Sequence, residues 1–180
     1  MAEPVPFALV KLVCGIIYAS KDVLDRSILY LTESFGPIDH VSTVVAFKFT
    51  DYYLKQMGEG LKRKFVSFTQ TVLPEKLSEI KIRTNEMEKE IKMEFGSDQR
   101  MVNIDPGYMT ASALIMATAK DFSHRIALQK GIYAHLELLF GKNEVKILNW
   151  TYPDFRTEEY QRFFLEVRKI YLEQLRRSNT

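Results

Sequence analysis

The run VKLVCGIIY, Val10–Tyr18, constrains this chain more than any other stretch, because it is nearly all apolar and has the length of a strand. With its flanks, as FALVKLVCGIIYA, it could pass for the apolar core of a signal peptide. Three features oppose that. The leader MAEPVP carries Glu3 and no basic residue, Lys11 interrupts the run, and the stretch is too short to span a bilayer. The run reads as a buried strand, and the chain as a cytoplasmic protein with no membrane partner.

A core large enough to bury such a strand is available. With 180 residues, 46% hydrophobic and 27% charged, the chain is sized for a single domain spanning residues 1–180. Twelve phenylalanines and nine tyrosines supply large buried rings. A formal net charge of +2 gives no global field, which argues against nucleic acid as a partner. The single Cys14 cannot form an internal disulfide, fits a reducing compartment and reads as an inert core thiol.

After the first strand, Ser20 predicts a helix N-cap, and Leu24, Ile28, Leu31 and Phe35 fall at helical spacing before Gly36-Pro37 stops the helix. Val41–Phe49 alternates and is rich in β-branched and aromatic residues, predicting a second strand, and Lys62–Gln70 predicts a third. Pro74 opens a long helix. Its apolar stripe is Leu77, Ile80, Thr84, Met87 and Ile91, with Glu79, Lys81, Arg83, Glu86, Lys89 and Glu90 on its wet side. Met101–Ile104 predicts a fourth strand, Asp105-Pro106-Gly107 a turn, and Thr110 the cap of a compact buried helix over Ala111–Lys120. Arg125–Leu128, Ile132–Phe140 and Glu144–Trp150 predict a meander, and Thr157 caps a last amphipathic helix. The fold class is therefore α+β. We expect a mostly antiparallel sheet whose ferredoxin-like (split βαβ) N-terminal half is extended by the buried helix, the β-meander and the C-terminal helix.

In that unit we expect strands two and four to run opposite to strands one and three, so that the ends at Phe49 and Ile104 share an edge. Asp51, Tyr52 and Tyr53 would then approach Asp105 and Tyr108, and a final strand running the same way would add Trp150, Tyr152, Asp154 and Arg156.

The segments FTDYYLKQMG, VNIDPGYMT, ATAKDFSHRIALQKGIYA and WTYPDFRTEEY resemble, in order and spacing, those of a bacterial family known only as domain-of-unknown-function family 4416. The resemblance runs along nearly the whole chain and implies no established reaction. Some members carry the bare label "GTP-binding protein", and this sequence lacks the parts that a P-loop needs. There is no Gly-x-x-x-x-Gly-Lys-Ser/Thr to wrap phosphates in backbone N–H groups, and neither Gly58-Glu59-Gly60 nor Gly141-Lys142 supplies one. G-x-G-x-x-G, paired cysteines, H-E-x-x-H and G-x-S-x-G are absent too, which removes the common dinucleotide, zinc and α/β-hydrolase readings.

Local clusters remain. KDFSHR places Lys120, Asp121, His124 and Arg125 together: His124 as general acid or base, Asp121 setting its tautomer, Lys120 and Arg125 holding a phosphate or carboxylate. The plain alternative is a helix C-terminus, its carbonyls met by Lys120 and His124 and Arg125 paired to Asp121. Asp51, Asp105 and Asp154 could hold a hard cation such as Mg²⁺, or serve only as turn acids. The basic LKRK at Leu61–Lys64 reads more as edge protection than as a phosphate site. The candidate catalytic residues are thus His124, Asp121 and Asp105, and the candidate ligand-binding residues are Asp51, Tyr52, Asn103, Tyr108, Lys120, Arg125, Trp150, Tyr152, Asp154 and Arg156. The expected ligand is a small anion, phosphate-bearing or nucleotide-like. No cofactor or metal is named by the sequence. The alternative is a protein-interaction or homo-oligomerising module.

Overall fold

The apolar run becomes β1 (Val10–Tyr18), buried at every residue, in a computed structural model that describes residues 3–178 apart from Asp51 and Asn143. Helix α1 (Lys21–Phe35) follows; Ser20 Oγ accepts from Val23 N–H at 3.3 Å, and the helix ends at Gly36, whose φ of +87° suits glycine. The second strand is split in two, β2 (Ile38–Val41) and β3 (Val45–Ala46), rather than continuous over Val41–Phe49. At the break, Ser42 Oγ accepts the Phe65 N–H at 2.9 Å, so a side chain replaces a ladder bond. A single turn, α2 (Leu54–Met57), precedes β4 (Lys62–Val72). Pro74 starts a short 3₁₀ turn that feeds the long helix α3 (Leu77–Glu94).

The turn expected at Asp105-Pro106-Gly107 does not form, because β5 runs through it from Val102 to Met109. Nor is Ala111–Lys120 a helix: its core is strand β6 (Ala113–Thr118), buried at four of six positions. A strand covered on both faces shows apolar residues on all sides and mimics a buried helix in sequence. Thr110 still organises the segment, since its Oγ1 accepts from Ser112 and Ala113 N–H in the tight β5–β6 connection. The meander is β7 (Ile126–Ala127), β8 (Tyr133–Phe140) and β9 (Val145–Ile147), with β7 and β9 both lying along β8. A 3₁₀ turn, Pro153–Arg156, leads into α4 (Glu158–Ser178).

All the strands pair antiparallel in one sheet ordered β2-β4-β1-β5-β6-β8-β7, with β3 on β4 and β9 on β8. The expected directions need correction. β1 and β2 run the same way and β4 and β5 the other, so the exit of β3 lies beside the start of β5, not its end. Tyr52 and Asp105 still border one cavity, because Asp105 sits within β5 rather than in a turn beyond it. Helices pack on both faces. Leu12, Cys14, Ile16, Val66, Phe68, Val102 and Ile104 meet α1 and α3, whereas Val13, Phe65, Met109, Leu114 and Leu138 meet Tyr160, Phe163, Phe164 and Val167 of α4. Among the described residues no helix is long and apolar enough to cross a membrane.

Candidate functional site

The sheet divides in the middle. β5 pairs with β1 along its whole length, but with β6 only where Gly107–Met109 meet Leu114–Met116. Beyond that point β6 stays with β8 as far as Thr118, and a cavity of about 610 Å³ opens between β6 and the first half of β5. Backbone groups on such a split edge need partners. Glu88 Oε1 accepts the Ile104 N–H at 2.7 Å, Lys81 Nζ donates to the Ile104 carbonyl at 2.8 Å, and Arg100 Nε donates to the Val102 carbonyl at 3.0 Å. Pro106, next in the alternation, brings no N–H to that edge.

Charge is concentrated around Asp105. Lys81 comes from α3 through the split to donate to its Oδ1 at 3.2 Å, Asn103 Nδ2 donates to its Oδ2 at 2.5 Å, and Arg63 Nη2 lies 3.7 Å from the same oxygen. Burial works to raise this carboxyl, but Lys81 and Arg63 outweigh it and hold Asp105 below the usual carboxylate range. Arg63, on β4, also donates to Asp154, and its guanidinium lies 4.7 Å and 5.0 Å from the ring centroids of Phe65 and Phe155. Gly15 makes this reach possible: any Cβ there would meet Arg63 Nη2 at 2.8 Å. Arg100 donates to Glu88 and Asn103, and burial raises Glu88 against the pull of Arg100 and Lys81. At the mouth, Lys120 Nζ sits 3.5 Å from the centroid of the Tyr52 ring; among the described residues it is the lining cation that no carboxylate holds.

Of the residues singled out in sequence, Tyr52, Asn103, Asp105, Lys120, Tyr152 and Asp154 line this cavity. Arg125 stands one layer back, donating to Tyr152 Oη at 2.5 Å and to the Lys120 carbonyl at 2.7 Å rather than pairing with Asp121. His124 stacks on Trp150 at 5.2 Å, Trp150 Nε1 donates to the Leu136 carbonyl at 2.8 Å, and neither lines the cavity. Asp121 is exposed away from it. Tyr108 alternates onto the opposite face, against Leu77, Ala117 and Ile132. Arg156 clamps its own loop through the Thr151 and Asn149 carbonyls. Asp51 lies outside the described residues. Asp105 and Asp154 share a guanidinium, and among the described residues no group of three His, Cys, Asp or Glu could hold a metal ion.

Arg63, Lys81, Asn85, Arg100 and His135 also line the cavity and were not legible as site residues. Lys81, placed on the wet side of its helix by its neighbours' charges, is buried, as is Arg63. A signal was present: Lys81, Asn85 and Glu88 lie four and three residues apart, a polar stripe beside the apolar one.

The model of the family described as domain of unknown function (DUF4416) matches residues 8–171. No curated protein and no solved structure matches the chain. That family match covers the sheet, the split that forms the cavity and most of α4, and the chain belongs to DUF4416.

Proposed function

We propose that the cleft between β5 and β6 binds a small anionic ligand, phosphate-bearing or nucleotide-like. The observation that carries this is the lining: four cations, Arg63, Lys81, Arg100 and Lys120, against two carboxylates, in a space of about 610 Å³ with aromatic rings at its mouth. Three of the cations are pre-positioned by acids, two of them buried and Asp105 half-buried, which favours binding without reorganisation. Tyr52 and Tyr152 offer ring faces and hydroxyls to a base or sugar.

Thermal-shift measurements with inorganic phosphate, pyrophosphate and nucleoside mono-, di- and triphosphates test the reading. The wild type melts higher with at least one of them, and Lys120→Ala weakens that ligand roughly tenfold, the loss of one charge-assisted contact. A wild type indifferent to every one would sink it.

A second reading, a protein-interaction or homo-oligomerising surface, is favoured by another patch. Phe122, Ile126, Leu128 and Ile147 stand exposed along the β7 and β9 side of the sheet. Sedimentation velocity over a concentration series separates the two, because self-association that Ile126→Asp abolishes belongs to this patch alone. We read the protein as cytoplasmic on its single buried Cys14, and cell fractionation with the full chain checks that placement.

A further inference from the structure

Two strands edge the cleft, and only one of them has its backbone closed off. In an antiparallel strand the N–H and C=O groups of alternate residues point to opposite neighbours, so two bonds at the start of β6 fix the phase of the whole strand. Thr110 N–H donates to the Ala113 carbonyl at 2.9 Å, on the β5 side, and Phe140 N–H donates to the Ser112 carbonyl at 2.8 Å, on the β8 side. Ile115 and Ala117 therefore turn their backbone groups towards β5. Thr118 still pairs with Tyr133 of β8, which carries the phase on to the Ala119 N–H, and Ala117 and Ala119 both line the cavity.

Continued past Gly107 and Met116, the β5–β6 register sets Ala117 opposite Pro106 and Ala119 opposite Ile104. Neither pair can close fully. Pro106 has no N–H for the Ala117 carbonyl. The Ile104 groups are already taken, the carbonyl by Lys81 at 2.8 Å and the N–H by Glu88 at 2.7 Å, and the Ala119 N–H finds no backbone acceptor among the described residues. β6 is left with an acceptor and a donor side by side on the cavity wall, whereas the facing edge of β5 is covered by charged side chains. Backbone groups open to a cavity are where the polar groups of a ligand can bond.

Rings stand at both ends of this stretch. Lys120, next to Ala119, holds the centroid of the Tyr52 ring 3.5 Å from its Nζ. Tyr152 packs at 5.1 Å on His135, the partner of Met116 in the ladder. A bulge in β8 brings Tyr152 there: Ile115 faces Leu136 and Leu114 faces Leu138, so Glu137 has no partner opposite. Glu137 Oε1 accepts the Tyr152 N–H at 2.6 Å, and the Leu136 and Glu137 carbonyls accept from Trp150 Nε1 and Thr151 Oγ1 at 2.8 and 2.6 Å.

We propose that the cleft holds a nucleotide by its base, the Ala117 carbonyl and the Ala119 N–H reading the Watson–Crick edge while the phosphate lies across the split on Lys81 and Arg100. This rests on the anion-binding reading and narrows it from any small phosphate to one that carries a base. Every base offers the matching pair on neighbouring atoms: amine and ring nitrogen in adenine and cytosine, ring N–H and carbonyl in guanine and uracil. Both backbone groups point within the plane of the sheet, so the base meets β6 edge-on and leaves its faces for Tyr52 and Tyr152 to stack on.

Isothermal titration calorimetry on the full chain tests this. Mono- and triphosphates of adenosine, guanosine, cytidine and uridine are set against the base-free ribose phosphate and tripolyphosphate. At least one nucleotide binds about tenfold tighter than its base-free counterpart, as hydrogen bonds to the base allow. Methylation of that base at its Watson–Crick ring nitrogen removes the advantage. Ala119→Pro does the same by deleting the N–H at an exposed position beyond the end of β6, while affinity for the base-free probe stays within about twofold. Should the variant fail to fold, the methylated nucleotide decides alone. Nucleotides that bind no better than base-free probes overturn the proposal and leave the binding reading standing, as does a methylated base or a folded Ala119→Pro that keeps the full advantage. Absence of binding by every probe removes the two together.

Discussion

A methyl group added at Gly15 would lie 2.7 Å from Phe65 Cε1 and 2.8 Å from Arg63 Nη2, closer than real contacts allow. The Phe65 ring is held by four other aromatic rings and cannot retreat, so the guanidinium has to move. Gly15→Ala is therefore expected to cost about 1–3 kcal/mol in urea unfolding, the usual range for overpacking, and to abolish the ligand-induced thermal shift. Protonation of single residues has a readable signature too. Glu137 binds its proton more tightly folded, at about 8, than at its ordinary 4.5, so its contribution is complete below 4.5 and is lost as pH rises through 8. His135 has the opposite sign: its folded value, about 4, lies below the ordinary 6.5, so its contribution is lost as pH falls through that window. The two cancel between 4.5 and 6.5, and above 6.5 Glu137 acts alone. Stability should drop by about 1–2 kcal/mol from pH 6.5 to 8, and denaturation of Glu137→Gln should show that drop removed.

At the scale of elements, what distinguishes this molecule is an interior sheet edge satisfied by side chains. Glu88 of α3 serves the Ile104 N–H that β6 would otherwise take, and it also holds Arg100. Glu88→Ala should destabilise by about 1–3 kcal/mol, since it strands a buried donor. Hydrogen exchange localises the effect: the Ile104 amide speeds up, while amides in the β1–β4 ladder follow only the global change. Elements with a strong local code were legible in the sequence. The Ser20 cap and its helical spacing predict α1, and the run before them predicts β1. β5 and β6 were not. Asp-Pro-Gly is turn chemistry locally, but here Pro106 sits on an edge that needs no donor, and Gly107 lies where a Cβ would run into Met116 Sδ and the Ile115 carbonyl. The small and mostly apolar ASALIMATA has no period that separates a doubly covered strand from a buried helix.

Across the whole molecule, one aromatic cluster joins the sheet to α4 and supports the site. Phe65 contacts Phe155, Tyr160, Phe163 and Phe164 with centroids between 4.8 and 5.7 Å, and its ring also carries the Arg63 guanidinium. Phe65→Ala should cost about 3–5 kcal/mol in chemical denaturation, as for large buried aromatics, and the ligand response should fall with it because Arg63 loses its support. Lys81 and Arg63 illustrate why half the cleft escaped a reading of the chain. Charged neighbours make a residue look solvated, and only packing shows that it is aimed inward. The sequence by itself determined the α+β class, the buried first strand, the first helix with its Ser20 cap and the absence of a P-loop, because each depends on residues within a few positions of one another. Tertiary structure alone decided that the sheet divides between β5 and β6 and that Arg63, Lys81, Arg100 and His135 converge there. Strand pairing and the register of a single bulge are set by contacts between segments far apart in the chain, where no local pattern records them.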